Sequence, residues 1–261
     1  MDQALPIKCF LSHAYADAAQ CDQLIRILPR NVEAVVFPPI TVKPDQFVSS
    51  RLIAAVLDCG GLIYLRGGRS ALSFWVAFER DYALRAGKQV FAADPGTLDV
   101  VRDTEAPLDL AVFASYHHGD APRVREIAEY MKHERYFDLW LDVEDIGAGA
   151  DWRKAISESL TDRLKRGGYE VVFWSRRASE SQEVRKEIKM AIKSTVNFND
   201  RVLFALLDDC PIPKFGTQYQ EPSVQLYGDT KRPAAHRWDD LVVRLYWLIY
   251  RKTRTAEWSS P

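Results

Sequence analysis

Two segments of this 261-residue chain repeat one pattern of residue types. Ser73-Phe74-Trp75-Val76-Ala77-Phe78-Glu79 and Ser181-Gln182-Glu183-Val184-Arg185-Lys186-Glu187 both read Ser-x-x-Val-x-x-Glu. On a helix, each glutamate lies three residues beyond a valine that faces a core, so it sits near the buried face. A carboxylate there is costly unless it is partnered or used. One such residue is an ordinary boundary glutamate; two in matching positions point to candidate sites. Other constellations are weaker. Ser12-His13 suggests a nucleophile and its base, but adjacent residues at a strand end point in different directions. His117-His118 suggests a metal, yet no H-E-x-x-H and no Cys/His cluster accompanies it, so a solvated loop is expected. Neither G-x-G-x-x-G nor G-x-x-x-x-G-K-[ST] occurs, and Gly67-Gly68 reads as a turn.

The elements that must carry these residues alternate along the chain. Ile7 to Leu11 is β-rich and ends at Ser12. Leu24, Ile25 and Leu28 then recur at helical spacing until Pro29. Ala34 to Phe37, Leu62 to Leu65 and Gln89 to Ala92 read as further strands, with helices through Leu52-Ile53-Val56 and Trp75 to Leu84 between them. The order then restarts. Leu110 to Phe113, Phe137 to Leu141, Glu170 to Trp174 and Val202 to Leu207 are strands, with Val224 to Leu226 a short fifth. Val124 to Met131, Trp152 to Leu164, Val184 to Ile192 and Trp238 to Ile249 are helices. Such alternation predicts α/β architecture with parallel strands and crossovers. The two passes read as an internal duplication. The stretch 95–107 has no periodicity and carries Pro95, Gly96 and Pro107. It is expected to link a first domain, 1–94, to a second, 108–261.

Composition narrows the function. Apolar residues make up 47% and charged residues 27%, which suits a folded globular chain. Lys plus Arg total 35 against 36 Asp plus Glu, so the formal charge is −1. No basic excess marks a nucleic-acid footprint, and no direct nucleic-acid binding is expected. A spanning helix needs ~18 consecutive apolar residues, and the best run, Leu241 to Tyr250, is short and contains Arg244. No membrane association is expected. Met1-Asp2-Gln3-Ala4 lacks the start of a signal peptide. With four widely spaced cysteines and no C-x-x-C, free thiols and a cytoplasmic location are expected.

Ligands in open parallel sheets bind beyond the carboxyl ends of the strands. That rule selects the loops after Ser12, Phe37 and Leu65, and those after Ser115, Leu141 and Trp174. The residues there resemble the Toll/interleukin-1 receptor (TIR) domain, in its bacterial, NAD-consuming branches. Val112-Phe113-Ala114-Ser115-Tyr116 resembles the family's opening strand. Leu141 to Gly149 resembles its second strand and BB loop, and Ser175 to Glu187 the loop and helix bearing its glutamate. Pro211-Ile212-Pro213 and the last helix fit the closing segment. The first half resembles a shorter, divergent copy through Phe10-Leu11-Ser12-His13 and Ser73-x-Trp75-Val76-x-x-Glu79. That copy carries Pro38-Pro39-Ile40 in place of an acidic, glycine-bearing BB loop. The second copy has Glu183 in place of the family's tryptophan.

The resemblance implies two flavodoxin-like, TIR-like parallel-sheet domains in tandem. It implies cleavage of NAD+ between nicotinamide and ribose, giving ADP-ribose or a cyclic isomer, with NAD+ as substrate and no resident cofactor or metal. Glu187 and Glu79 would be the catalytic carboxylates. Phe113, Ser115, Tyr116, Asp145, Trp152 and Ser175 would bind substrate in the second copy, and Phe10, Ser12, His13 and Trp75 in the first. Other TIR domains would be partners through self-assembly, and bacterial antiphage immunity the setting. A non-catalytic TIR–TIR scaffold stays open, as does a nucleoside deoxyribosyltransferase-like fold.

Overall fold

The structure, a computed structural model, describes residues 5–37, 48–108, 112–141, 168–194, 201–212, 223–228 and 234–258. The chain divides into two compact units, Met1–Leu108 and Asp109–Pro261.

Unit 1 runs β1 (Lys8–Ser12), α1 (Ala18–Ile27), β2 (Glu33–Val36), α2 (Val48–Leu57), β3 (Gly61–Leu65), α3 (Phe74–Arg85), β4 (Gln89–Ala93) and β5 (Val100–Arg102). The sheet order is β2-β1-β3-β4-β5, with the first four strands parallel and β5 antiparallel to β4. Leu28 closes α1 with a bond from its N–H to the Leu24 carbonyl (3.1 Å) and then turns extended, as the residue before Pro29 must. One core forms beneath α1, where Cys9, Leu11, Cys21, Leu24, Ile63, Leu65 and Phe91 pack together. All four cysteines of the chain are buried, free thiols, and burial pushes those of Cys9 and Cys21 up to about 11.

The stretch 95–107, expected to be a linker without structure, carries β5 instead. The Asp94 carboxylate accepts from the N–H groups of Gly96 (2.8 Å) and Thr97 (3.1 Å), turning the chain back so that Val100–Arg102 pairs with Phe91 to Ala93. Three residues are too few to show a period, so the pattern of the sequence is silent there.

Unit 2 runs β6 (Val112–Tyr116), α4 (Ala121–Arg135), β7 (Leu139–Leu141), β8 (Tyr169–Trp174), α5 (Arg176–Glu180), α6 (Gln182–Ser194), β9 (Val202–Leu206), β10 (Ser223–Gln225) and α7 (Ala234–Trp258). Its five paired strands are all parallel, in the order β10-β9-β8-β6-β7. Numbered along each unit, both sheets read 2-1-3-4-5. The strand expected from Phe137 starts later, at Leu139. Tyr136 adopts the left-handed conformation (φ 55°), and the Phe137 N–H closes α4 on the Met131 carbonyl (2.9 Å). The core under α6 gathers Phe113, Val172, Trp174, Val184, Ile188, Val202 and Phe204. Among the described residues, no helix is long and apolar enough to cross a membrane.

Candidate functional site

The repeated Ser-x-x-Val-x-x-Glu pattern is a helix start with a carboxyl on its second turn. Ser73 is the N-cap of α3, its hydroxyl accepting from the Val76 N–H (3.4 Å). Ser181 does the same for the Val184 N–H (3.3 Å) at the start of α6. Capping satisfies an otherwise orphaned amide and fixes where the helix begins. The rotation of the helix then turns Val76 and Glu79 inward in unit 1, and Val184 and Glu187 inward in unit 2.

Each glutamate meets a serine on the first strand of its unit. In unit 1 the Ser12 hydroxyl donates to Glu79 Oε2. In unit 2 the Ser115 hydroxyl donates to Glu187 Oε2 (2.5 Å). Ser12 and Ser115 are both buried at the carboxyl end of β1 and β6. Strand alternation puts Phe10 on the same face as Ser12, and Phe113 on the same face as Ser115. Tyr116, the next residue, points to the opposite face of β6 from Ser115 and Glu187. Structure thus joins Phe113, Ser115 and Glu187 into one group and leaves Tyr116 out of it.

Unit 1 opens a cavity of about 390 Å³ at this place, within the range of small-ligand sites. Phe10, His13, Tyr15, Trp75 and Glu79 line it, together with Phe37 at the end of β2. Trp75 is 38% exposed, and its ring stands edge-on to Phe78 at 6.3 Å. Glu79 is 7% exposed. Burial pushes its carboxyl from 4.5 up to about 8, against the hydrogen bond from Ser12, which pulls it down.

A second matched network holds the loops around each site. In unit 1 the Asp17 carboxylate accepts from the Ser70 amide (2.5 Å) and hydroxyl (2.7 Å), and the Ser70 oxygen accepts from the Ala14 N–H (2.8 Å). Burial would raise the Asp17 carboxyl, but the Ser70 bonds outweigh it and hold the group below its ordinary value. Gly68, at φ +62°, lies so close to Asp17 that a Cβ there would fall 2.8 Å from Oδ1. In unit 2 the Ser175 hydroxyl donates to Asp120 (2.5 Å) and accepts from the Ala178 N–H (3.0 Å). Ser175 is therefore a buried latch and helix cap. His117 also serves locally, its Nδ1 accepting from the Gly119 N–H (3.0 Å). Asp145 and Trp152 lie outside the described residues, as do the Pro38 to Ile40 and Asp142 to Gly149 loops.

One residue escaped the sequence reading. Glu170, on β8, is fully buried, and neither carboxyl oxygen has a hydrogen-bond partner. Burial first, and then the nearby Glu187, push its carboxyl well above the ordinary 4.5. Glu170 pairs in register with Phe113, and Leu62 holds the corresponding place opposite Phe10 in unit 1. The signal was an acidic residue opening the apolar run Glu170-Val171-Val172-Phe173-Trp174.

A family model described as the TIR domain matches residues 112–242, half of the chain and most of unit 2. The chain belongs to the TIR domain family. Among solved structures, it is similar to the TIR domain of the Toll-related receptor TRR-2 from Hydra magnipapillata. That likeness is 15% identical with a TM-score of 0.36, and it covers 56% of this chain and 99% of that one. No curated protein matches the sequence. Members of the TIR family act as NAD+-consuming enzymes or as signalling scaffolds, and they commonly associate with one another.

Proposed function

We propose that this TIR protein cleaves the bond between nicotinamide and ribose in NAD+, and that Glu79 carries the reaction. The single supporting observation is the buried Ser12–Glu79 pair at the wall of a ligand-sized, aromatic-lined cavity. On this reading, unit 1 is a divergent TIR-like copy and the chain is a tandem of two flavodoxin-like domains. The shared 2-1-3-4-5 strand order supports it, with β5 of unit 1 antiparallel where β10 of unit 2 is parallel.

The chemistry asks little of the protein beyond a placed charge. Nicotinamide carries a positive charge while bound to ribose and departs neutral, so no acid is needed to release it. The bond breaks towards the ring nitrogen and leaves positive charge on the ribose carbon. Glu79, as carboxylate, stabilises that charge from a fixed position. Ser12 donates to the carboxylate and orients it. Trp75 and Phe10 offer faces for the rings. Water then attacks to give ADP-ribose, or the adenine attacks to give a cyclic isomer.

A second reading is supported by unit 2. Glu183 stands where unit 1 has Trp75, and its carboxylate accepts from the Ser181 hydroxyl (3.3 Å) at the surface. Unit 2 on this account is a TIR–TIR assembly module. The cytoplasm and antiphage defence rest on the family resemblance alone.

Nicotinamide release from NAD+ tests both. Purified protein at high concentration is compared with Glu79→Gln, Glu187→Gln and the double variant by chromatography. Glu79→Gln is expected to lose activity by about 100- to 1,000-fold, the usual cost of removing one electrostatic stabiliser. Glu187→Gln is expected to retain most of it. The reverse pattern would move the active site to unit 2. No release from wild type, where another TIR hydrolase is active, would leave the scaffold.

A further inference from the structure

The cavity of unit 1 imposes a charge requirement on whatever fills it. Glu79 has one hydrogen-bond partner among the described residues, the Ser12 hydroxyl. An ionised carboxylate this deep needs a positive charge beside it. Among the described residues, the elements around it supply no permanent one that acts on Glu79. From the end of β1 come His13 and Tyr15, and from α1 come Cys21 and Asp22. Cys21 is neutral, its thiol pushed up to about 11 by burial. Asp22 is acidic and exposed. His13 is half-buried, with an Nδ1 that has no hydrogen-bond partner.

The cations on the neighbouring helices do not act on Glu79, whose carboxyl responds to burial and to Ser12. On α3, Arg80 pairs with Asp103 (2.6 Å) and Glu105 (3.0 Å). On α2, exposed Arg51 lies over the Phe37 ring at 5.9 Å. The remaining walls are aliphatic and aromatic, the rings being Phe10, Phe37, Tyr15 and Trp75. Aromatic faces attract organic cations, and a buried carboxyl without a counter-ion completes a site for one.

We propose that this cavity selects a planar organic monocation of the pyridinium type, and that Glu79 releases its proton to solvent as the cation enters. The step balances: one proton leaves a Glu79 oxygen for the buffer, one positive ring enters, and the carboxylate left behind is its counter-ion. The proposal deepens the reading of this site as one that handles nicotinamide, but it concerns binding and requires no bond cleavage. The raised carboxyl of Glu79 agrees with it, since a group titrating at about 8 holds its proton at neutral pH.

Calorimetry on the full chain tests this with two probes that differ in charge. 1-Methylnicotinamide is a cation and nicotinamide is its neutral counterpart. Neither contains ribose, so neither can be turned over. The cation is expected to bind at least about 10-fold more tightly at pH 8. At pH 7 it should release about one proton per ligand, read as heat that changes with the ionisation enthalpy of the buffer. Its affinity should climb about 10-fold per pH unit and level off above about pH 8, as linkage to one proton requires. In Glu79→Gln the proton release should vanish and the two probes should bind alike. If that variant fails to fold, the wild-type pH profile decides alone.

Equal binding of the two probes, a pH-independent affinity, or no binding of the cation would overturn the proposal. The outcome is separable from that of the NAD+ assay. A chain that binds the cation with proton release yet frees no nicotinamide refutes the enzyme and keeps the charge-selective site. A chain that frees nicotinamide with pH-independent cation binding does the opposite.

Discussion

Glu170 and Leu62 occupy the same register position in two sheets of the same strand order, and only one of them belongs in a core by its chemistry. An orphaned buried carboxyl costs stability whichever way it titrates. Neutral, it lacks hydrogen bonds; charged, it lacks water. Replacing it with the residue that unit 1 uses should therefore stabilise the fold. We expect Glu170→Leu to gain roughly 1–3 kcal/mol, measured by chemical denaturation. The sign of its pH dependence follows from the raised pKa. Above the ordinary 4.5 the unfolded chain gives up this proton while the folded chain keeps it, so wild-type stability falls as pH rises. The gain from Glu170→Leu should grow over the same window. A loss of stability, or a gain that shrinks with pH, would mean that Glu170 has a favourable role in the folded unit. At this scale the sequence showed Glu79 and Glu187, because a capped helix makes their phase readable. It hid Glu170, because an acidic residue before an apolar run also reads as an ordinary strand end.

Between elements, loops after the first and third strands of each unit are fastened by an aspartate and a serine. Asp17 with Ser70, and Asp120 with Ser175, hold the loop segments from which the neighbouring Ser–Glu pair is reached. Removing Asp17 leaves the Ser70 amide and hydroxyl without their acceptor. Asp17→Ala should cost about 1–3 kcal/mol by chemical denaturation and lower the turnover of NAD+ in parallel. Because the folded carboxyl lies below its ordinary value, its contribution is present at neutral pH and lost as pH falls through that lower value. A variant as stable as wild type would show the latch to be ornamental. Apolar periodicity predicted the described strands and helices between these loops, since each buries a face; the helix expected from Trp152 to Leu164 lies outside the described residues. It could not predict the latches, because serine and aspartate in a loop carry no period. The short β5 and the five-residue α5 were missed for a related reason: neither is long enough to display one.

Each unit has its own sheet and its own buried cluster, and the sequence already divided the chain near Pro107, where apolar periodicity lapses. The structure puts the division at Leu108 instead, because the preceding residues are bound into unit 1. Arg80 on α3 holds Asp103, and the Leu108 N–H donates to buried Asp81 of the same helix. These contacts make the end of unit 1 part of its fold, on the helix that carries Glu79. If stability resides in two separate cores, unfolding is not a single two-state event. Leu24 belongs to the core under α1, and Leu203 is fully buried on β9. Truncating a buried leucine typically costs about 2–5 kcal/mol. Calorimetric melting should therefore resolve two transitions. Leu24→Ala should lower one and leave the other unmoved, while Leu203→Ala should do the converse. A single transition lowered by both variants would make the chain one cooperative body, and a substitution in either unit would then change the occupancy of both Ser–Glu pairs. Two independent transitions would allow the Glu79 and Glu187 variants to be read as separate losses, each confined to its own unit.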